Sequence, residues 1–302
     1  MCAQTSDPVE LAGTWAAQAD LRVEITGNPA SLVRVCPDPQ TQSATLFLQV
    51  ELAGSGSNLT QTVSICEVSL PAVTSGLGSC PQNPADYIET RVSPSPALGR
   101  SFPMHHAGPS PAGVTLAEGS RTYAPPLFAL IMGTALGNPV SDPLPHWDNT
   151  RSNCSSQATS STPESCVVDW AKVTDSDQDG KPGVTVDVQA VDGRGVEVIS
   201  GDGYAVMRVA PDLEGTIMNA NCVTGTLTAE LEFEVIDSDI FLSGSEINTA
   251  AVNEQLPPLN VLPESKFRML RANGQGDHDF DDDHDGSVSC SEIKSHAQAF
   301  AK

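Results

Sequence analysis

Oxygen-bearing side chains recur at a fixed spacing near the end of the chain, between Asp281 and Glu292. Counted from Asp281, carboxylates occupy positions 1, 3 and 5, a glycine position 6, a hydroxyl position 9 and a glutamate position 12. A hard divalent cation takes six to eight oxygens at about 2.3–2.6 Å, and this spacing wraps the backbone around such an ion. The pattern predicts a calcium site with ligands from Asp281, Asp283, Asp285, Ser287 (carbonyl oxygen), Ser289 (through a water) and Glu292 (both oxygens).

The loop resembles that of the EF-hand family, which it matches at every ligand position. Gly286 permits the tight turn at the centre, where a side chain would strain the backbone. Downstream, Ile293, Ala297 and Phe300 share one helical face, which predicts a short exiting helix. Upstream, residues 266–271 alternate as a strand where the family has a helix, which favours a structural clamp over a helix-opening sensor. The alternative interpretation is a solvated acidic tail.

A second acidic run, residues 175–180, repeats the first half of this pattern. It resembles the Asp-x-Asp-x-Asp-Gly calcium repeats of bacterial surface proteins and thrombospondin-type modules. The predicted ligands are Asp175, Asp177, Asp179 and, at position 7, Lys181. Position 12 is Val186 instead of an acid, although Asp187 offers a late carboxylate. The alternative is an Asp-rich turn whose side chains cap their own backbone.

Composition narrows the class of protein. Gly and Pro are plentiful at 24 and 23 of 302 residues, and aromatic residues make up only 5%, which favours strands and turns over helices. The length allows one large core or two modest ones. A formal net charge of −23 argues against nucleic acid or an anionic membrane surface as partner, because phosphate groups repel it.

The eight cysteines indicate disulfides formed in an oxidising, extracytoplasmic compartment. They include no Cys-x-x-Cys pair, so neither a zinc ribbon nor a thioredoxin-like redox site is indicated. Cys154 and Cys166 bracket a Ser/Thr-rich loop and are expected to close it. Cys36 and Cys66 can pair between neighbouring strands, with Cys80 close behind, but spacing alone leaves the connectivity open.

Cys2 and the polar residues after it resemble the mature start of a bacterial lipoprotein. The resemblance implies a lipid anchor on Cys2, a flexible tether over residues 1–8 and attachment to the bacterial outer membrane. Parity argues the other way, because lipidation of Cys2 would leave an odd number of cysteines for disulfides. Secretion without an anchor and a cytosolic origin are the alternatives. The sequence has no secretory signal and no run of about 18 apolar residues.

Period-two alternation of apolar and polar residues predicts antiparallel strands along most of residues 9–275. The clearest examples are residues 21–26, 31–35, 45–52, 61–68, 184–191 and 225–235. We expect the first two to form a hairpin, and the Gly-Asp-Gly of residues 201–203 to form a turn. Between about residues 71 and 165 proline is frequent and periodicity is weak, which predicts a loop-rich insertion with a few strands, such as residues 127–132.

A Gly-x-Trp at Trp15 opens the first strand and resembles the start of a lipocalin-type barrel. In that family an arginine of the last strand stacks on the tryptophan, which implies Arg268 or Arg271 here. We therefore expect an all-β, antiparallel, barrel-like (lipocalin-like) unit over residues 9–275, closed by pairing of the first strand with residues 266–271, and a calcium loop plus short helix over 276–302. Two similar sheets, or a buried tryptophan in another β fold, are the alternatives.

Motifs of catalysis are missing from the sequence: it has no nucleophile elbow, zinc-protease pair or phosphate-cradling glycine loop. The histidine cluster at His105 and His106, with Met104 before it and His146 further on, is expected to be solvated. The leading hypothesis is a non-catalytic, calcium-binding surface or secreted protein with a protein or surface partner. The alternatives are a barrel that carries an apolar small molecule and a metal-dependent hydrolase that uses residues 71–165.

Overall fold

Antiparallel strands dominate the computed structural model, which describes residues 2–5, 7–28, 31, 33–117, 120–154, 162–272 and 278–301. Sixteen strands form one sheet. The sheet curls strongly into a half-barrel, which confirms the predicted all-β, barrel-like class. Within the described residues, none of the helices has the length and apolar content needed to cross a membrane.

The two longest strands lie side by side inside the sheet, and short strands form its two ends. Strands β1–β9 span Gly13–Ile25, Val33–Val35, Gln40–Ser55, Asn58–Ser69, Val73–Leu77, Ile88–Pro94, His106–Pro111, Val114–Ala117 and Ser120–Tyr123. Strands β10–β18 span Leu130–Met132, His146–Trp147, Val167–Val168, Val184–Val191, Glu197–Asn219, Cys222–Leu242, Ser245–Ile247, Leu259–Val261 and Lys266–Arg271. Helices α1–α4 span Pro96–Ser101, Pro163–Cys166, Thr249–Gln255 and Cys290–Ser295. Short 3₁₀ helices span Pro84–Asp86, Phe102–Met104, Trp170–Lys172 and Ala297–Ala301.

The main sheet follows the order β2-β5-β6-β13-β14-β15-β18-β1-β3-β4-β7, and β9 and β10 also pair with β14. The segment predicted as a loop-rich insertion, residues 71–165, therefore contributes strands at both ends of the sheet. Of the strand predicted at residues 127–132, only Leu130–Met132 forms. Strands β11 and β12 form a separate pair.

Strand β1 is paired along both edges. All of its 13 residues pair with β3. On the other edge, Trp15 to Asp20 pair with β18, which confirms the predicted pairing of the first strand with residues 266–271. The predicted hairpin of residues 21–26 with 31–35 is wrong, because β2 pairs with β5 instead. The long register with β3 buries a whole apolar face of β1, which a short local hairpin does not.

Strand β14 is continuous through residues 201–203, so the turn predicted there is wrong. Gly201 lies inside the strand with φ 139°, and a Cβ atom on it would lie 2.0 Å from the carbonyl oxygen of Asp239 on β15. The glycine therefore admits a close approach of the neighbouring backbone. The chain does turn at Asp192 and Gly193, between β13 and β14, where the Asp192 carboxylate accepts the N–H of Val196 at 3.0 Å.

Trp15 lies in the core of the half-barrel and contacts Arg271 of β18. It is fully buried, and its indole N–H donates to the Leu11 carbonyl oxygen at 2.9 Å. The guanidinium of Arg271 lies 5.1 Å from the centre of its ring and donates to the carbonyl oxygens of Glu10, Ala12 and Ala220. Of the two predicted arginines, Arg271 therefore makes the contact with the tryptophan.

The C-terminal segment packs against the outer wall of the barrel. Phe280, Ile293 and Phe300 form a buried cluster with Ala16 of β1 and Leu270 of β18. Three links position it: the Cys66–Cys290 disulfide, a hydrogen bond from Gln49 to the Val288 carbonyl (2.6 Å), and one from Arg268 to the Phe300 carbonyl (2.7 Å).

All eight cysteines are paired, as Cys2–Cys222, Cys36–Cys80, Cys66–Cys290 and Cys154–Cys166. The predicted Cys154–Cys166 bridge is confirmed, whereas a Cys36–Cys66 bridge is wrong because their strands are not neighbours. Four disulfides are typical of an oxidising, extracytoplasmic compartment.

The first residues are held against the barrel. Besides the Cys2–Cys222 bridge, the Thr5 N–H donates to the Met218 carbonyl at 2.9 Å, and Arg121 donates to the carbonyl oxygens of Thr5 (2.7 Å) and Asp7 (2.8 Å). A flexible tether over residues 1–8 is therefore wrong for the described residues of that range. A lipid on Cys2 would need the sulfur atom that this disulfide uses.

We expect Arg271→Met to lower the free energy of unfolding by about 2–4 kcal/mol, because it leaves three partly buried hydrogen bonds to carbonyl oxygens without their charged donor. Urea unfolding followed by circular dichroism measures the change. Arg22→Met is the control, since Arg22 is exposed on β1; its effect is expected to stay within about 0.5 kcal/mol. Equal effects of the two substitutions would contradict the role given to Arg271.

Candidate metal centres

The C-terminal loop brings three of its predicted ligands together. One oxygen from each of Asp281, Asp283 and Asp285 lies within 4.8 Å of the other two. The two oxygens of Asp281 accept the N–H groups of Asp285 (3.1 Å) and Gly286 (3.0 Å), and Asp285 accepts the N–H of Ser287 (2.8 Å). These bonds turn the backbone around the carboxylates.

Glu292 is folded back over the same loop. One of its oxygens accepts the N–H of Asp282 at 2.8 Å, and the other accepts the N–H and the hydroxyl of Ser289, both at 2.7 Å. The hydrogen bonds from Ser289 hold the pKa of Glu292 below its usual value. With Ser289 as N-cap, Glu292 also completes a capping box that starts α4, the exiting helix that the sequence predicted.

The mid-chain loop repeats this arrangement. Ligand oxygens of Asp175, Asp177 and Asp179 also lie within 4.8 Å of one another. The two oxygens of Asp175 accept the N–H groups of Asp179 (3.2 Å) and Gly180 (3.0 Å), and Asp179 accepts the N–H of Lys181 (2.8 Å). Each bond has its counterpart at the same loop position in the C-terminal loop.

Backbone torsions show that the first halves of the two loops are the same structure. At position 4, Gln178 and His284 both have φ 58°, a left-handed conformation that is uncommon outside glycine. At position 6, Gly180 and Gly286 both have φ 86°. Two segments about a hundred residues apart thus adopt one conformation, as expected where both must converge three carboxylates.

The second halves of the loops differ. In the mid-chain loop Gly183 forms a parallel bridge with Asp175, and Thr185 donates its N–H to Asp177 (2.8 Å) and its hydroxyl to Asp179 (2.5 Å). Thr185 therefore orients two carboxylates. Asp187 lies on β13 opposite Asp202 of β14 and is not among the carboxylates that converge at the loop, so the late carboxylate considered from the sequence is not brought to it.

Asp177 differs from every other predicted ligand in being buried. Its exposed fraction is 6%, one of its oxygens accepts the Thr185 N–H, and the other has no partner among the described residues. Burial raises the pKa of Asp177 above its usual value, and the neighbouring Asp179 and Asp175 add to the rise. A buried carboxylate oxygen without a donor is costly unless a cation or a proton accompanies it. Nothing in the spacing distinguishes Asp177 from Asp283.

The side chain of Lys181 is attached to the barrel and does not point to the carboxylates of the loop. Its ammonium lies 3.1 Å from the Asp239 carboxylate and 4.8 Å from the centre of the Tyr204 ring, and the Tyr204 hydroxyl donates to the same carboxylate at 2.6 Å. Burial raises the pKa of Tyr204 to about 12. This anchor, which the sequence reasoning missed, leaves the carbonyl oxygen of Lys181 as its possible ligand atom.

The barrel interior contains a small apolar cavity. Its volume is about 50 Å³, and its wall includes Ala17, Ala19, Leu46, Phe128 and Met269. Sites for drug-sized ligands measure roughly 300–1,000 Å³. This cavity is therefore too small to hold a ligand of that size.

The histidines of residues 71–165 are dispersed. His105 is buried, which lowers its pKa, and its Nε2 lies 3.2 Å from the Ser101 hydroxyl, which donates to the Leu98 carbonyl oxygen at 3.0 Å. His106 lies on β7, and His146 lies on β11 in the other sheet. They do not converge on one site, so the hydrolase alternative gains no geometric support from them.

Asp237 and Asp239, two residues apart on β15, are predicted to affect stability with opposite signs. Burial raises the pKa of Asp237 to about 6, while the pKa of an aspartate in the unfolded chain is about 3.9. The folded state therefore binds more protons between these values, and the free energy of unfolding falls as pH rises through this window. We expect Asp237→Asn to raise the melting temperature at pH 7 and to have little effect at pH 4.

Asp239→Asn is the matched control. The hydrogen bond from Tyr204 lowers the pKa of Asp239, so its stabilising effect is present above the unfolded value and is lost as pH falls through the folded one. We expect this variant to lose less than about 1 kcal/mol at pH 7, because the ion pair with Lys181 is half-exposed. Melting curves at both pH values test the pair, and shifts of the same sign at pH 7 would contradict it.

The comparison with known proteins adds no name to these sites. No family model matches the chain, and no curated protein matches its sequence. Two features of the chain itself point to a function: the shared conformation of the two acidic loops and the buried carboxylate of Asp177.

Proposed function

We propose that this chain is a non-catalytic, extracytoplasmic calcium-binding protein whose ions stabilise two loops of a β-barrel, for a structural role or for contact with a protein or surface partner. One observation carries the proposal: two loops distant in sequence share the same torsions and hydrogen bonds, and each converges three carboxylates within 4.8 Å. Three negatively charged carboxylates at that distance repel one another, and a divalent cation bound between them would offset this repulsion.

The choice of calcium follows from the ligand atoms. The C-terminal loop offers carboxylate oxygens, one backbone carbonyl and a glutamate at position 12, which are hard ligands of the kind that calcium prefers. The loop is already anchored to the barrel through the Cys66–Cys290 disulfide and the hydrogen bond from Gln49 to Val288. Ion binding there would act as a clamp on a docked segment.

The proposed location is outside the cytoplasm, either secreted or on the bacterial surface, and the four disulfides support it. Attachment through a lipid on Cys2 and the Cys2–Cys222 bridge exclude each other in one molecule, because both use one sulfur atom. Intact mass spectrometry of the protein from its native host, before and after reduction, distinguishes the two forms.

Calcium should raise the melting temperature of the protein by several degrees relative to chelator. Extracellular loop sites bind at roughly 10⁻⁴–10⁻³ M. At about 2 mM free ion each site would then contribute on the order of 1–2 kcal/mol. Calorimetry or circular dichroism measures the shift, and a change of less than about one degree would count heavily against the proposal.

Two variants that each remove one negative charge show which loop causes the calcium-dependent rise in melting temperature. We expect Glu292→Gln to lose the calcium-dependent part of the shift that belongs to the C-terminal loop while the barrel stays folded. Asp86→Asn removes one negative charge from an exposed site outside both loops and should keep the full shift. Global unfolding of the Glu292 variant would overturn the assignment of that ion to a peripheral clamp.

A further inference from the structure

The two loops offer a cation different numbers of oxygens, although their first halves are the same. Resting on the proposed calcium function, we propose that the mid-chain loop is a six-coordinate site that takes Mg²⁺ as well as Ca²⁺, whereas the C-terminal loop is selective for Ca²⁺. Magnesium requires octahedral geometry at about 2.0–2.1 Å and keeps several waters, whereas calcium accepts six to eight oxygens in flexible geometry. Ligand number and rigidity therefore decide between the ions.

The C-terminal loop provides the larger set. Its three aspartates, the Ser287 carbonyl and both oxygens of Glu292 supply six protein oxygens by position, and Ser289 adds a route through water. The bidentate glutamate expands the coordination beyond what a small ion accommodates. Asp283 and Asp285 are exposed, so this loop can adjust to the larger ion.

The mid-chain loop provides fewer oxygens. Three aspartates and the carbonyl of Lys181 supply four by position. At position 12, Val186 packs against the barrel core, so no side chain reaches back with two oxygens. At position 11, Thr185 donates both of its hydrogen bonds to the ligand carboxylates. The open coordination positions are left to water, which magnesium retains readily.

The mid-chain loop is also the more rigid of the two. Asp177 is 6% exposed and has an oxygen without a donor among the described residues, which points independently to a cation in this cluster. The Asp175–Gly183 bridge closes the loop, and Thr185 fixes Asp177 and Asp179. Because a small rigid set of oxygens cannot expand to seven or eight ligands, it gives calcium little advantage.

Two variants of the full-length protein isolate the loops. Asp281→Asn and Asp175→Asn alter the same loop position with the same loss of charge, and leave the mid-chain and the C-terminal loop, respectively, as the intact site. Each metal-free protein is titrated with CaCl₂ and with MgCl₂ by isothermal calorimetry, after circular dichroism has shown that it is folded. If Asp281→Asn fails to fold, Glu292→Gln replaces it, and if Asp175→Asn fails, Asp179→Asn, also an exposed position, replaces it.

We expect Asp281→Asn, which keeps the mid-chain loop, to bind the two ions with dissociation constants within about tenfold of each other. We expect Asp175→Asn, which keeps the C-terminal loop, to bind Mg²⁺ at least about a hundredfold more weakly than Ca²⁺. In wild-type protein, Mg²⁺ at a concentration that saturates the mid-chain loop should remove one of two calcium-binding steps.

Two results would overturn the proposal, and they differ in what survives. If the mid-chain loop rejects Mg²⁺ as strongly as the C-terminal loop does, the inference fails while the calcium function stands. If neither variant nor the wild type binds Ca²⁺, the proposed function fails and the inference with it.

Discussion

The pairing of β1 along both of its edges is the constraint on which the rest of the structure depends. Alternate residues of this strand, from Trp15 to Ile25, supply one wall of the main core. On its outer side, Ala16 receives the apolar residues of the C-terminal segment. A one-residue slip of β1 against β3 or β18 would exchange these two faces, exposing Trp15 and burying charged side chains. The position of the C-terminal loop is thus set by the same register that joins the two halves of the sheet.

The two acidic loops differ in how far their carboxylates are exposed to solvent. In the C-terminal loop most of the carboxylates meet solvent, which screens their repulsion when no ion is bound. In the mid-chain loop Asp177 is buried, and one of its oxygens has no donor among the described residues. This loop is also tied to β14 and β15, because the ammonium of Lys181 contacts Tyr204 and Asp239.

Sequence patterns predicted the features of the structure that depend on neighbouring residues alone. The strands at residues 45–52, 61–68 and 266–271 and the repeated half-loop all follow from alternation or spacing. The strand partners and the disulfide connectivity depend on contacts between segments far apart in sequence. The partner of β2 and the bridge from Cys66 to Cys290 depend on which strands meet in space, and the alternation of a strand does not name its neighbour. The glycine at position 201 suggested a turn, but a glycine is needed there because the backbone of Asp239 approaches it closely. The burial of Asp177 likewise has no signature in the spacing of its loop.

The seam between β1 and β18 has a consequence for how the chain matures. Its two strands are separated by some 240 residues, and the bridges Cys2–Cys222 and Cys66–Cys290 span 220 and 224. A growing chain cannot join the two halves of the sheet until β18 has been made, since loop closure must precede the contacts that reward it. Until then β1 exposes an unpaired edge that invites association with other chains. The order of synthesis thus separates the two partners of this seam for most of the time that the chain takes to grow.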